Sequence, residues 1–231
     1  MPSFLRNSLE KPKKKGPQVN LCYISCLVLT LTIGMFQFGF CLASWNYFYV
    51  SFKIRLGEEQ WQSWYLWGFT GFTVLGAMIS SIGTGYLMPF GKWKLFHLNN
   101  LLLICASSLS LIECIPLQMA CRFFYGMAAG AFTVMVPKFI NETAPQELKG
   151  PYGALSQISI TVGIFVCALL GLPVPEDPED GEIVTINSFW VQNYWRVVWS
   201  IPIFLALLQS TLLFLVFKYD TPFKLKKMGQ F

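Results

Sequence analysis

The chain has 231 residues, of which 54% are hydrophobic and 13% charged, and its formal net charge is +5. A soluble domain of this length buries one ordinary core, but it cannot hide several apolar runs of about 20 residues, so the composition excludes a soluble enzyme and indicates an integral membrane protein. Seven cysteines (Cys22, Cys26, Cys41, Cys105, Cys114, Cys121, Cys167) lie in or beside the apolar runs; an odd number without ligand spacing reads as small buried hydrophobes, not as a disulfide or zinc framework.

Residues 1–20 form a polar tail with Lys11, Lys13, Lys14 and Lys15 just ahead of the first apolar run. No small-residue cleavage site follows a short apolar core, so the tail is not a signal peptide, and its Arg- and Ser-containing start is too short for a mitochondrial presequence. Its lysines either fix orientation or dock on anionic lipid or an acidic partner. The transmembrane domain is expected over 21–217, with spans near 21–45, 61–87, 94–112, 116–140, 152–172 and 195–217. A barrel strand would need only about 9–11 alternating residues, so these runs are helical.

The first span contains Gln37-Phe38-Gly39-Phe40 and reaches Asn46 just beyond its end; the second has small residues at Gly71, Gly76, Ser80, Gly83 and Gly85. His97 opens the third without a nucleophile or carboxylate pattern around it, and Gly83 and Gly85 precede no lysine–serine pair. The fourth sets Gly126, Ala129, Gly130 and Thr133 along one face, a spacing that lets helix backbones approach in lipid. A charged hairpin, Asn141 to Gly150, leads to the fifth, which carries Ser156, Gln157, Ser159 and Thr161. A buried amide needs partners, so that helix is expected to line a packed interface or a polar cavity. The loop from Pro173 to Asn193 holds Glu176, Asp177, Glu179, Asp180 and Glu182; it is a solvated loop or a surface for a basic partner. After the sixth span comes a basic tail, 218–231.

With an even number of spans both termini share a side. That side collects thirteen of the 17 lysines and arginines, whereas Lys53, Arg55, Arg122 and Arg196 fall on the other. The positive-inside rule then puts both termini in the cytosol, or in the matrix of a mitochondrion.

Pro137, Glu142, Pro145, Lys149 and Gly150 are spaced like the Pro, Glu, Pro, Arg and Gly of the sugar-porter branch of the major facilitator superfamily. From about Gln37 to Pro222 the chain resembles the amino-terminal half of a facilitative glucose transporter, with no counterpart of the second half. The resemblance implies an all-α membrane bundle of six helices, one half of the major-facilitator fold, itself two inverted three-helix repeats. It also implies substrate held between two halves near the bilayer midplane. Gln37 heads a segment similar to the family's Gln-Phe-Gly-Tyr, Asn46 falls where the family has an asparagine, and Gln157 matches a glutamine that contacts sugar hydroxyls. An amide both donates and accepts, which suits a hydroxyl; the alternative for Gln157 is a bond to a neighbouring helix. Proton-coupled sugar porters carry an Asp where Cys41 stands. A thiol, with a reference pKa of about 8.5, is a poor proton relay, so any transport is expected to run downhill.

The loop after the second span, Gly85 to Lys94, is one residue shorter than the family's Gly-x-x-x-Asp-Arg-x-Gly-Arg-Arg and lacks its Asp and Arg. In the family, basic residues there pair with the glutamate after the fourth span and latch one conformation. The latch and motif residues of this chain are Gly91, Lys92, Lys94, Arg122, Glu142, Lys149 and Gly150, with Trp195 and Arg196 opening the sixth span as Trp-Arg does in many sugar porters. Lysines in a shortened loop, replacing bidentate arginines, are expected to weaken the latch.

Two functions fit this sequence. An absent half and an altered latch point to a non-transporting accessory subunit, held by other membrane subunits or a second copy, with the mitochondrial inner membrane as host. The alternative is a facilitative hexose transporter of the plasma membrane, working as a homodimer or with a separate second half. Neither reading involves an enzyme, a cofactor, a metal or a nucleic acid, since the basic residues flank spans instead of forming a soluble face.

Overall fold

The computed structural model describes residues 21–56, 62, 64–174 and 189–216. The expectations for both tails and for the acidic loop fall mostly outside these residues. Six helices appear in order: α1 (Leu21–Leu56), α2 (Trp64–Leu87), α3 (Lys92–Leu109), α4 (Ile115–Thr143), α5 (Lys149–Gly171) and α6 (Phe189–Val216), with a 3-10 turn at Met88–Phe90. Five are long and apolar enough to cross a membrane. The sixth, α3, has 18 residues, or about 27 Å at 1.5 Å each, and is diluted by Lys92, Lys94, His97, Asn99 and Asn100. Two of these polar groups turn into protein instead of lipid: His97 Nδ1 meets Ser210 Oγ at 2.7 Å on α6, and Asn99 Nδ2 donates to the Ala128 carbonyl at 2.9 Å on α4.

Proline and glycine chemistry sets the connections. Ala144 is extended, as the residue before Pro145 must be, and this ends α4. Pro116 sits in the first turn of α4 and Pro151 in that of α5, where a missing N–H costs no helical bond. Gly91, at φ 132°, turns the chain from the 3-10 segment into α3; a side chain there would be strained.

The first span is longer than its hydropathy indicates. Instead of ending at residue 45, α1 runs on to Leu56 because its aromatic tail is buried by protein. Phe48 and Phe52 are fully buried, and Phe52 packs edge-on against Trp195 at 5.2 Å. These rings belong to an aromatic core with Trp45, Phe69, Trp195 and Trp199. A second core, mixing aliphatic and aromatic side chains around Leu27, Leu31, Phe132, Met135 and Phe139, fills the half of the bundle nearer the start of α1.

Helix α1 packs on α5 and α6, α4 packs on α2 and α3, and α3 meets α6. Exchanging helices one, two and three for four, five and six maps this pattern onto itself, as two inverted three-helix repeats require. Both long seams close on glycine. A Cβ on Gly39 would collide with the Ile160 carbonyl, and one on Gly163 with that of Phe36, so α1 and α5 touch backbone to backbone. Gly76, Gly126 and Gly130 do the same between α2 and α4. The small face of the fourth span serves close approach, as its spacing indicates; Gly71, Gly83 and Gly85, by contrast, face open space.

Candidate functional site

The bundle centres on α1 and α4 and leaves much of α2 and α5 uncovered: 61–67% of the apolar stretch is buried in the first pair, 17–22% in the second. On the uncovered part of α5, Gln157 is exposed. So is Thr161 one turn on, whose hydroxyl donates to the Gln157 carbonyl at 3.3 Å. Among the described residues the Gln157 amide has no partner. Two contacts bracket its level on α1, Ser25 with Tyr152 and Phe36 with Gly163. Both keep the same offset, so Gln157 stands level with the turn that starts at Thr30 and ends at the half-buried Ile33.

The three residues matched to sugar contacts are not brought together. Asn46 is exposed, but its neighbour Tyr47 packs on Gly171 at the far end of α5. That places Asn46 about 20 Å along the bundle from Gln157. Gln37 departs from the expectation of a groove-facing residue. It is fully buried, and its Nε2 donates to Gln209 Oε1 on α6 at 3.5 Å, while Gln209 Nε2 donates to the Thr30 carbonyl at 3.2 Å. Ser156 is also buried and bonds back to the Tyr152 carbonyl. The rotation of α1 against α6 turns Gln37 inward.

The latch residues divide between two ends of the bundle. At one end Lys92 forms an ion pair with Glu142, with the Lys92 ammonium 5.7 Å from the centre of the Phe139 ring. The shortened loop still allows this pairing: Gly91 starts α3 so that its first residue reaches the end of α4. Lys94 and Lys149 make no ion pair among the described residues, and Gly150 opens α5 with free space beside it. At the other end Glu113 accepts from Arg55 Nε at 2.8 Å and also from Arg196, tying α1 and α6 to the turn before α4. Arg196 bonds Asn193 as well, and Trp195 is wholly buried in the aromatic core.

Arg122 lies inside the expected fourth span but is not part of the Lys92–Glu142 latch; 2% exposed, it stands seven residues into α4 at the opposite end. Its guanidinium stacks 4.3 Å from the Trp199 ring and 5.1 Å from that of Trp45, and NH1 donates to Ser44 Oγ at 3.1 Å.

The sequence pattern of the sugar (and other) transporter family matches residues 26–224. The chain belongs to that family. It is 31% identical over 208 residues to hexose transporter 1 of Toxoplasma gondii, a match covering 85% of this chain and 36% of that protein. Identity to hexose transporter 1 of Plasmodium falciparum is also 31%, over 68% of this chain and 31% of the other. Among solved structures, the inward-open xylose transporter XylE from E. coli superposes with a TM-score of 0.71 at 17% identity, over 90% of this chain and 50% of the other. A D-xylose-proton symporter gives 0.69 at 18% identity, with similar coverage. The likeness to these structures shows the fold alone. This sugar-transporter family member spans about a third of the hexose transporters' length and half of the xylose transporters', as one six-helix half does.

Three features of the site escape the sequence. Gln209 has no motif to announce it as the partner of Gln37, and the choice of Lys92 over Lys94 depends on the turn at Gly91. The aromatic box around Arg122 joins α1, α4 and α6, and only its cation–π composition, Trp and Arg in neighbouring spans, hints at it.

Proposed function

We propose that this chain supplies one wall of a facilitative hexose pathway across the membrane, the second wall coming from a complementary six-helix half. That half is a second copy, a separate chain or a continuation of the same polypeptide. The observation that carries the reading is Gln157: an unpartnered amide on an apolar helix whose outer face the bundle leaves open. Hydrocarbon against that amide costs several kcal/mol, whereas sugar hydroxyls match its donor and acceptor. The hexose-transporting relatives support the substrate class. Cys41, buried where proton-coupled porters carry an acid, supports downhill movement without proton coupling. Both termini lie on the cytosolic side in this proposal, with the Lys11 to Lys15 tail near anionic headgroups.

The accessory-subunit reading gives way here, because the relatives named as hexose transporters favour transport, and the Lys92–Glu142 pair is in keeping with that reading. The test is saturable hexose uptake into vesicles containing the chain with its complementary half. Gln157→Ala should cut uptake about tenfold or more while leaving thermal unfolding unchanged, and a pH gradient should drive no accumulation. Wild-type vesicles that take up no hexose, or accumulation abolished by a protonophore, would count against the proposal.

A further inference from the structure

Arg122 has no counter-charge among the described residues. It is 2% exposed and forms no ion pair with any described residue. Trp45 and Trp199 cover its guanidinium with aromatic faces, and Ser44 takes one N–H. Such stacking offsets part of the cost of burying a cation, and a full charge in a low-dielectric interior still calls for an anion. The Nε of Arg122 remains without a partner.

The same place gathers unused donors. Arg122, Ser44, Ser107, Ser110, Tyr125 and Trp199 line one cavity of about 10 Å³ at the junction of α1, α3, α4 and α6. That is close to the space a single water-sized particle needs. Ser107 Oγ and the Tyr125 hydroxyl are buried there with no hydrogen-bond partner, beside the free Arg122 Nε. The hydroxyls of Ser44 and Ser110 already donate to backbone carbonyls. Residues bearing a charged N–H and two O–H groups therefore line one small space, and no carboxylate among the described residues is paired with them. A water would satisfy the hydroxyls and leave the charge; a monatomic anion answers all three donors and the charge together.

We propose that this cavity is a halide site, in which one chloride-sized anion bridges Arg122 Nε, Ser107 Oγ and Tyr125 OH. The site is lined by residues of this half-bundle alone, so the inference does not depend on what the outer groove carries. Its occupant replaces the carboxylate that a buried arginine ordinarily requires and makes the stability of the α1–α4–α6 junction depend on halide.

The experiment is thermal unfolding of the purified full chain in detergent, followed by tryptophan fluorescence. Chloride is exchanged for gluconate at constant ionic strength. In the wild type the midpoint should rise saturably with chloride and with bromide, and should not rise with sulfate, which is too large for the cavity. Ser107→Ala and Tyr125→Phe keep the arginine and remove one donor each. Each should raise the half-saturating chloride concentration by about tenfold or more. Arg122→Gln should abolish the dependence; if that variant does not fold, the other two still decide. A bromide anomalous peak among Arg122, Ser107 and Tyr125 would locate the ion directly. A wild-type midpoint equal in chloride and gluconate would overturn the proposal. So would equal shifts with chloride and sulfate, or unchanged half-saturation in both donor variants.

Discussion

Gln37 and Gln157 are the same residue type in similar apolar surroundings, yet they do opposite jobs. The first is buried and exchanges its amide with Gln209; the second is exposed and unpartnered among the described residues. Removing the Gln37 amide leaves the Gln209 carbonyl oxygen without its donor, and an unsatisfied buried group costs about 1–3 kcal/mol. Gln37→Ala should therefore lower the thermal unfolding midpoint of the half-bundle, and Gln157→Ala should not. Unchanged stability in Gln37→Ala would mean that the α1–α6 amide pair carries no weight. The sequence shows that both residues are polar groups in lipid-length helices. It does not show their azimuth, since a polar side chain facing a partner helix and one facing a groove have the same local neighbourhood.

At the scale of elements, the glycine seams make a sharp comparison. Gly39→Ala would push a methyl into the Ile160 carbonyl, against backbone that has nowhere to go. Overpacking of this kind costs about 1–3 kcal/mol or more, and the α1–α5 seam should loosen. Gly83→Ala meets nothing within 4 Å, and the change removes a helix-weakening glycine, so stability should hold or rise by up to about 1 kcal/mol. Unfolding of the two variants in one detergent checks both signs. The Lys92–Glu142 pair works differently. Glu142 is 38% exposed at its side chain, and pairs in such settings contribute about 0.2–1 kcal/mol. That is too little to hold the bundle and, if the proposed transport cycle operates, enough to bias one conformation of it. A double-mutant cycle on unfolding should give a coupling below about 1 kcal/mol. Hexose uptake should drop in Lys92→Glu and recover in part when Glu142→Lys is added; a swap with no recovery would separate the pair from the transport cycle.

For the whole molecule, the arrangement that leaves α2 and α5 open sets the topology to be tested. Single cysteines at Ser3, Glu179 and Gln230, introduced into a cysteine-free background, should react with an impermeant thiol reagent in two classes. Positions 3 and 230 should label together from the cytosolic side and position 179 from the other. Opposite labelling of 3 and 230 would remove the six-span order, and position 179 labelling with them would remove the placement of the acidic loop.

The amino-acid sequence alone determines the class, the number of helices and the small face by which the fourth span touches a neighbour. Hydropathy over about 20 residues and glycine at helical spacing are local properties, so Gly126 and Gly130 announce a close helix contact before any partner is known. Motif spacing around Glu142 carries the family for a similar reason, being confined to one hairpin. Tertiary structure decides what depends on helix rotation and depth. Six helices packing at once turn Gln37 inward, give Glu142 to Lys92 instead of Lys94, and extend α1 to Leu56 under an aromatic cover. The same packing encloses Arg122 in a buried tryptophan box that its own span does not announce, because the residues that enclose it stand up to 77 positions away, from Trp45 on α1 to Trp199 on α6.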